Sequence, residues 1–517
     1  MSELPSLITK ARFVDLSLVV LCGIGQAAAA TLAAFATRDA FAALHAGGGP
    51  ALATLLELAV AGLLGAVCLY GAHRRSEAVG QSYANALRRR LYGHIAALPK
   101  ALHERRRLGG LSLRFVGDLS AARLWFGTGL PDLLTALVVL PGAAAILFTL
   151  EPSLAPVGVA PIGAALLVMI AVAWQLEARH RKLRGRRAKI AIAMIERIAR
   201  SPELDLMGRT RKELRSLDAM GLELQKDAVA RRGRTAALQA ILHVGTAVAG
   251  LAVLWRAGSS GVVPGTVAAS LAVLALLTLP LQNLAAAWDR YCAWRIARGK
   301  ALQLLAIPTI QRAGRSAKHP TSVEVTGTLN GKVINEIYPK GALSSIAGPG
   351  ASVLARHIAG LDRSEALRVT FDGQPKPPKT AYIGDEFIGL QGSLRRVVTL
   401  MSRRRPKDDQ ILDVLRAYGL EHLLTQARGL KTRIAEAGRS LTSDETLRLD
   451  LARAELGQVR LLIIDSVRFR ASFHRDALVE LFASRCDASI LLAEDRQRTL
   501  PQMTQPTRNV YQIRNAL

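Results

Sequence analysis

A membrane domain of six spanning helices followed by an α/β domain is the architecture this sequence predicts, on three observations. Long Ala/Leu/Val stretches fill roughly the first 300 residues of a 517-residue chain that is 50% hydrophobic. The formal charge of +28 is concentrated in two basic stretches set between apolar segments. From about residue 322 onward, short apolar runs alternate with helical patterns, as in an α/β fold.

The first observation gives the spans. About 20 apolar residues are needed to cross a hydrocarbon core, and residues 13–37, 50–72, 128–150, 152–176, 236–256 and 262–287 each supply such a stretch. Glu57 and Asp132 fall within these spans, where a carboxylate is costly and defaults to a functional or interhelical role unless it sits at a span end.

The second gives the topology. Residues 38–49, the turn at Glu151 and residues 257–261 are short and nearly uncharged, whereas 73–127 and 177–235 are long and carry runs such as "LRRRLYGH" and "EARHRKLRGRRAK". Basic loops stay in the cytoplasm, so both long loops and both termini are expected there, in an integral protein of the inner (cytoplasmic) membrane. Their apolar spacing is helical, which predicts helices that leave the bilayer and turn back at Gly109 and Gly110 in one hairpin and at Pro202 in the other. The tips, around Phe115–Asp118 and Ser201–Leu206, are expected to touch a cytoplasmic domain. The same distribution sets aside nucleic acid as the partner of the basic charge and names the lipid bilayer instead. Cys22, Cys68, Cys292 and Cys486 lie far apart, so neither a zinc site nor a disulfide framework is expected.

The third gives the C-terminal domain. The runs "ALSSIAG", "TAYIGD", "RLLIID" and "ASILLAED" read as buried strands, and residues 305–321 as a linker. In "SSIAGPGASVLARHIAGL", a strand end, a glycine turn and a helix start follow one another as in a loop that cradles phosphate, but the lysine that normally reaches the outer phosphates is missing. Taken singly, Gly348 and Gly350 also suit any tight turn, Ser352 a helix cap, and Asp465 a cap or a charge at a strand end.

The order of these features is more telling. Six spans, two cytoplasmic hairpins and this domain resemble one half of an ATP-binding-cassette exporter, along nearly the whole chain. "SSGVVPGTVAASLAVLALLTLPLQNL" (259–284) is similar to that family's last span, and "SLTSDETLRLDLARAELGQVRLLIIDS" (440–466) to its signature helix and acidic strand. "ARSPELDLMG" and "AAAWDRYCAWRIARGKALQLL" resemble more closely the exporters of type I secretion. The resemblance implies an all-α transmembrane domain of the exporter type at 1–304, a linker at 305–321 and an α/β P-loop NTPase-like cassette at 322–517.

It also implies site residues, most of them altered. In the phosphate loop Gly348 and Gly350 keep two glycines, Ser345 replaces the first, Ala351 replaces the lysine, and Ser352 with Val353 completes it, Ser352 offering the hydroxyl for magnesium. A unit charge about 4 Å from a phosphate is worth roughly 4 kcal/mol at an effective dielectric of 20, and Arg356 sits about 140° around the helix from Ala351, too far to replace it. The signature LSGGQ reads Leu441, Thr442, Ser443, Asp444, Glu445, which puts acids where an anion should sit. Asp465 keeps the second magnesium position. Ser466 replaces the glutamate that polarises the attacking water and cannot act as that base. Asp385 stands at the glutamine-loop position and Glu494 at the switch histidine. No adenine-stacking aromatic is evident.

The expected function is therefore an exporter subunit that dimerises with a second half-transporter, with ATP hydrolysis lost or very weak and ATP with magnesium held weakly or not at all. Two alternatives stand beside it: a homodimeric carrier or scaffold without hydrolysis, and an ATP-driven exporter with atypical motifs. The transported substrate is not legible.

Overall fold

The computed structural model describes residues 3–105, 117–173, 176–310, 319–329, 331–424, 428–435 and 438–494. The chain forms two compact units, Met1–Ala96 with Arg105–Pro308, and Ala97–Glu104 with Thr309–Leu517. Its helices are, in order, α1 (Lys10–His45), α2 (Leu52–Ala96), α3 (Lys100–Arg105), α4 (Leu119–Leu150), α5 (Ala155–Ala173), α6 (Leu176–Ile198), α7 (Ser201–Leu206), α8 (Thr210–Ser260) and α9 (Pro264–Leu305).

Six of these, α1, α2, α4, α5, α8 and α9, are long and apolar enough to cross a membrane. Each overlaps one of the expected spans: α1, α4 and α8 contain theirs and run beyond, α2 and α9 start two residues late but run well past the C-terminal end, and α5 covers only 155–173 of the expected 152–176. Local chemistry explains the ends. The Thr9 hydroxyl accepts from the Arg12 N–H at the start of α1. Gly261 takes the left-handed conformation that closes α8, and Pro264 opens α9 in its first turn. Pro202 likewise stands in the first turn of α7, so the second hairpin reverses where expected. Gly109 and Gly110, the expected break of the first, lie outside the described residues.

The first unit's core is built from small and aliphatic side chains, among them Leu147, Leu154, Leu242, Val253, Val273 and Leu281. Outward, Leu63, Leu137, Leu167, Leu251 and Trp255 are exposed, as befits helices that meet hydrocarbon or another chain. Where α2 passes α4, Gly80 lies against Gly127, in a π-helical turn at Trp125–Gly129. Tyr83, Phe126 and Trp294 pack around that contact, with ring centroids 3.9 to 5.8 Å apart. Asp132 has an interhelical role, accepting from Arg290 Nη1 at 2.6 Å, while Glu57 is exposed near the start of α2.

The second unit holds the strands. β1 (Val323–Leu329) pairs antiparallel with β2 (Lys332–Tyr338) and β4 (Leu367–Phe371). A parallel sheet has the order β3 (Leu343–Ala347), β9 (Ser489–Glu494), β8 (Leu461–Ile464), β5 (Thr380–Ile383). All four residues of β8 are buried, which is why it reads as an unbroken apolar run. A two-stranded ladder joins β6 (Gly392–Ser393) to β7 (Arg433–Ile434). The helices here are α10 (Ala351–Ile358), α11 (Leu394–Val398), α12 (Asp408–Ala417), α13 (Ser443–Leu456), α14 (Val467–Ala471) and α15 (Arg475–Arg485).

Segment 97–104 is part of this unit. Lys100 N–H donates to the Leu361 carbonyl and Ile310 N–H to the Ala97 carbonyl, and Ala101 N–H donates to Asp362 Oδ1, all at 2.8 to 2.9 Å.

Candidate functional site

The site lies at the C-terminal ends of the parallel strands, where open α/β sheets place their ligands. Leaving β3, the chain turns through Gly348 (φ +106°) and Gly350 (φ +98°), both in the left-handed region that favours glycine. A Cβ at Gly348 would meet nothing within 4 Å, so the demand there is conformational rather than steric. Gly350 then caps α10, and the Ala351 N–H that opens the helix donates back to the Gly348 carbonyl at 3.1 Å. Ser345 remains inside β3, paired with Leu492 on β9.

Ser352 and Asp465 meet. The Ser352 hydroxyl donates to Asp465 Oδ1 at 2.7 Å, and both side chains are buried. The Tyr382 hydroxyl donates to Asp465 Oδ2, also at 2.7 Å, so both oxygens of that carboxylate are held. A hydroxyl and a carboxylate of this kind, one from the turn and one from the acidic strand, are a donor pair suited to a hard divalent cation. Residue 466 offers nothing to add. The Ser466 hydroxyl is 1% exposed and has no hydrogen-bond partner among the described residues.

Arg356 does not fill the place of the lysine. Ala351 is buried, and Arg356 is turned to Asp362, with Nε to Oδ2 at 3.0 Å. A cation from α3 stands beside β5, the strand that pairs with the acidic strand. Lys100 places its ammonium 4.6 Å from the centre of the Tyr382 ring, the ring whose hydroxyl holds Asp465. Neither Lys100 nor Tyr382 was legible as a site residue. Lys100 is remote in sequence, and a tyrosine in a buried strand gives no signal of its own.

The segment Leu441–Glu445 is turned on itself. Thr442 is the N-cap of α13: its hydroxyl accepts from the Glu445 N–H at 3.2 Å, and Glu445 Oε2 accepts from the Thr442 N–H at 2.6 Å. This reciprocal capping box satisfies two donors that would otherwise point at a ligand. Glu445 also contacts His422. Burial acts against its carboxylate, but the Thr442 and His422 hydrogen bonds outweigh that and hold the carboxyl below its ordinary range. Asp444 accepts from Arg448 at 2.6 Å and from the Ser472 hydroxyl at 3.2 Å. The N-terminus of α13 thus carries two carboxylates of its own, and an incoming anion would meet them. The spacing Thr442-x-x-Glu445 is a capping signal already present in the sequence.

Of the remaining two positions, Glu494 borders the turn and Asp385 the start of α14. Asp385 accepts from the Val467 N–H at 2.6 Å, at the start of α14. Glu494 ends β9 with an exposed side chain, and its carbonyl accepts from the Gly348 N–H at 3.2 Å. Behind them lies a buried ion network that spacing did not reveal. Asp450 on α13 accepts from Arg453 at 2.9 Å and from Arg468 at 3.4 Å, and Arg468 donates further to Thr446 and to the Gly384 carbonyl. It ties α13 to the segments that follow β5 and β8.

The family model of the ABC transporter transmembrane region matches residues 16–281, just over half of the chain. An uncharacterized ABC transporter ATP-binding protein, YknV of Bacillus subtilis (strain 168), is 20% identical over 421 residues, covering 75% of this chain and 68% of that protein. Among solved structures, a bacterial Atm1-family ABC exporter with ATP bound has a TM-score of 0.77 at 16% identity, covering 94% of this chain and 91% of that one. A likeness at that identity is one of fold.

Proposed function

This chain belongs to the family defined by the ABC transporter transmembrane region, and from that premise we propose that it is an exporter subunit with impaired ATP hydrolysis, acting beside a second half-transporter. Residues 1–304 would form its membrane domain, 305–321 the linker and 322–517 a nucleotide-binding cassette. The observation that carries the reading is a phosphate-loop turn whose architecture persists without its reactive groups. Ser352 still reaches Asp465 at 2.7 Å, while Ala351 and Ser466 stand where a cation and a general base are needed. Where ATP binds, magnesium would be held by Ser352 and Asp465 and would neutralise phosphate charge. This chain's own residues position that metal but activate no water.

A homodimeric carrier without hydrolysis is the second reading, favoured by the Thr442–Glu445 capping box, which occupies the helix end that would close over a partner's nucleotide. Co-purification from the native host separates the two by showing which chain accompanies this one.

Purified protein is expected to show no magnesium-dependent ATP turnover above background. The double variant Ala351→Lys, Ser466→Glu restores one cation and one carboxylate, yet Asp444 and Glu445 remain at the opposing face of a homodimer. It should therefore gain nucleotide affinity modestly and still not hydrolyse. Clear turnover by either protein without a partner would refute the assignment of residues 441–445 or 466.

The basic residues of 73–127 and 177–235 support a cytoplasmic placement of both hairpins, both termini and the cassette in the inner membrane. A cysteine at Ser82 or Ser216 should resist impermeant thiol reagents added to intact cells and react after permeabilisation. Labelling in intact cells would invert the topology.

A further inference from the structure

A cavity of about 60 Å³ opens among α1, α2, α4 and α9, and six of its lining side chains are polar: Gln26, His73, Ser76, Asp132, Thr135 and Asn283. The proposed cassette chemistry uses none of them. Gln26, Asp132, Thr135 and Asn283 fall within the expected spans, where polar groups are costly and mark paths or binding sites. Asp132 is the one carboxylate in the lining, and it is joined to Arg290 of α9 at 2.6 Å. The other five carry carboxamide, hydroxyl or imidazole groups, each able to donate and to accept. Asp132 lies three residues beyond the end of the π-helical turn Trp125–Gly129, and such turns recur at functional sites.

The ion pair selects the ligand. A simple anion drawn to Arg290 would leave Asp132 unpaired, and a simple cation drawn to Asp132 would strand Arg290. Either outcome leaves a poorly solvated charge without its partner. A zwitterion avoids both, because its anionic group pairs with Arg290 and its ammonium with Asp132, and the net charge of the site is unchanged. One ion pair becomes two. At about 60 Å³ the cavity holds the volume of about two waters, so such a ligand enters only as Asp132 and Arg290 part, which would couple binding to a movement of α4 against α9.

We propose that this cavity binds a small zwitterion, either a free amino acid or short peptide, or the headgroup of a zwitterionic phospholipid. This names a ligand class for the exporter subunit and rests on that reading, but binding requires neither hydrolysis nor a partner chain. Absence of binding therefore overturns the inference alone, whereas ATP turnover bears on the other reading alone.

The experiment uses the full chain in nanodiscs of phosphatidylglycerol. Alanine and glycylglycine are titrated while thermal unfolding is followed, with alanine amide and N-acetylalanine as singly charged counterparts. In a second arm, native mass spectrometry of protein extracted from mixed phosphatidylethanolamine and phosphatidylglycerol vesicles reads which lipid is retained. Saturable stabilisation by alanine or glycylglycine alone assigns a soluble ligand, and selective retention of phosphatidylethanolamine assigns a headgroup. Either supports the proposal. Asp132→Asn and Arg290→Gln should each weaken that binding about tenfold or more, the effect of losing a charge-assisted contact. Should they not fold, Asn283→Leu, which leaves the ion pair intact, should weaken binding several-fold with the ligand-free melting temperature unchanged. Equal binding of the singly charged compounds, no preference in either arm, or binding indifferent to Asn283→Leu would each overturn the proposal.

Discussion

Arg453→Ala is expected to destabilise the second unit by about 3 kcal/mol at pH 8, in the range found when one partner of a buried ion pair is removed. Arg453 is buried, donates to Asp450 at 2.9 Å and to the Val397 carbonyl at 3.0 Å, and lies 5.1 Å from the centre of the Phe387 ring. Burial pushes the Asp450 carboxyl up to about 6, against the opposing pull of Arg453 and Arg468. The folded state therefore binds this proton more tightly than the unfolded chain does. The associated stability is fully present below about pH 4 and is lost as pH rises through about 6, an effect on the order of 3 kcal/mol from a shift of about two pKa units. Without Arg453 the carboxyl rises further, so the variant's loss should be smaller at pH 5 than at pH 8. Asp450→Asn, by contrast, removes the titrating carboxyl and should abolish the slope between pH 4 and 6. Thermal melts of the purified protein across this range would measure both, and an Arg453→Ala loss that does not vary with pH would exclude Asp450 as the responding group.

Gly80→Val should destabilise the first unit by about 3 kcal/mol or more, and Gly80→Ala by about 2. A Cβ at Gly80 would lie 2.6 Å from Gly127 Cα, 2.7 Å from the Arg123 carbonyl oxygen and 2.8 Å from Gly127 N. Those atoms are backbone and cannot swing aside, so α2 and α4 must separate and loosen the Tyr83–Phe126–Trp294 cluster. Gly62 provides the control on the same helix. A Cβ there meets nothing within 4 Å, and Gly62→Ala should stay within about 1 kcal/mol of the parent. Retention of a monodisperse species after heating in detergent would rank the three. A Gly80→Val protein as stable as Gly62→Ala would show that the helices do not meet at this point.

What the sequence reveals here is what a short window can carry. Apolar length alone identifies the six spans, because a helix in hydrocarbon must satisfy its backbone internally and needs a fixed number of residues to cross. Leu461–Ile464 reads as a buried strand because both of its faces are covered. The pairing of Ser352 with Asp465 is consistent with the roles expected of a turn hydroxyl and an acidic strand end. Features that depend on remote partners could not be read. Nothing near Asp132 announces Arg290, nothing near Asp465 announces Lys100 or Tyr382, and the glycine pair 80 and 127 resembles any two helical glycines until the helices are packed. Asp444 and Glu445 are an intermediate case. Their charge was evident, but its satisfaction by Arg448, Ser472, Thr442 and His422 depends on the folded α13 and on neighbours from other segments.

The placement of Ala97–Glu104 within the second unit bears on inheritance. A domain encoded by one uninterrupted stretch can be exchanged between genes by a single recombination event, but this one is encoded in two pieces separated by most of the membrane unit. A crossover near residue 309 would bring in a foreign Leu361, Asp362 and Tyr382 to meet a resident Lys100 and Ala101, and the 2.9 Å bonds at that seam would depend on chance compatibility. The two pieces are therefore expected to diverge together as one hereditary unit, with substitutions at 97–104 tracking those around 361 and 382 more closely than those of their own sequence neighbours.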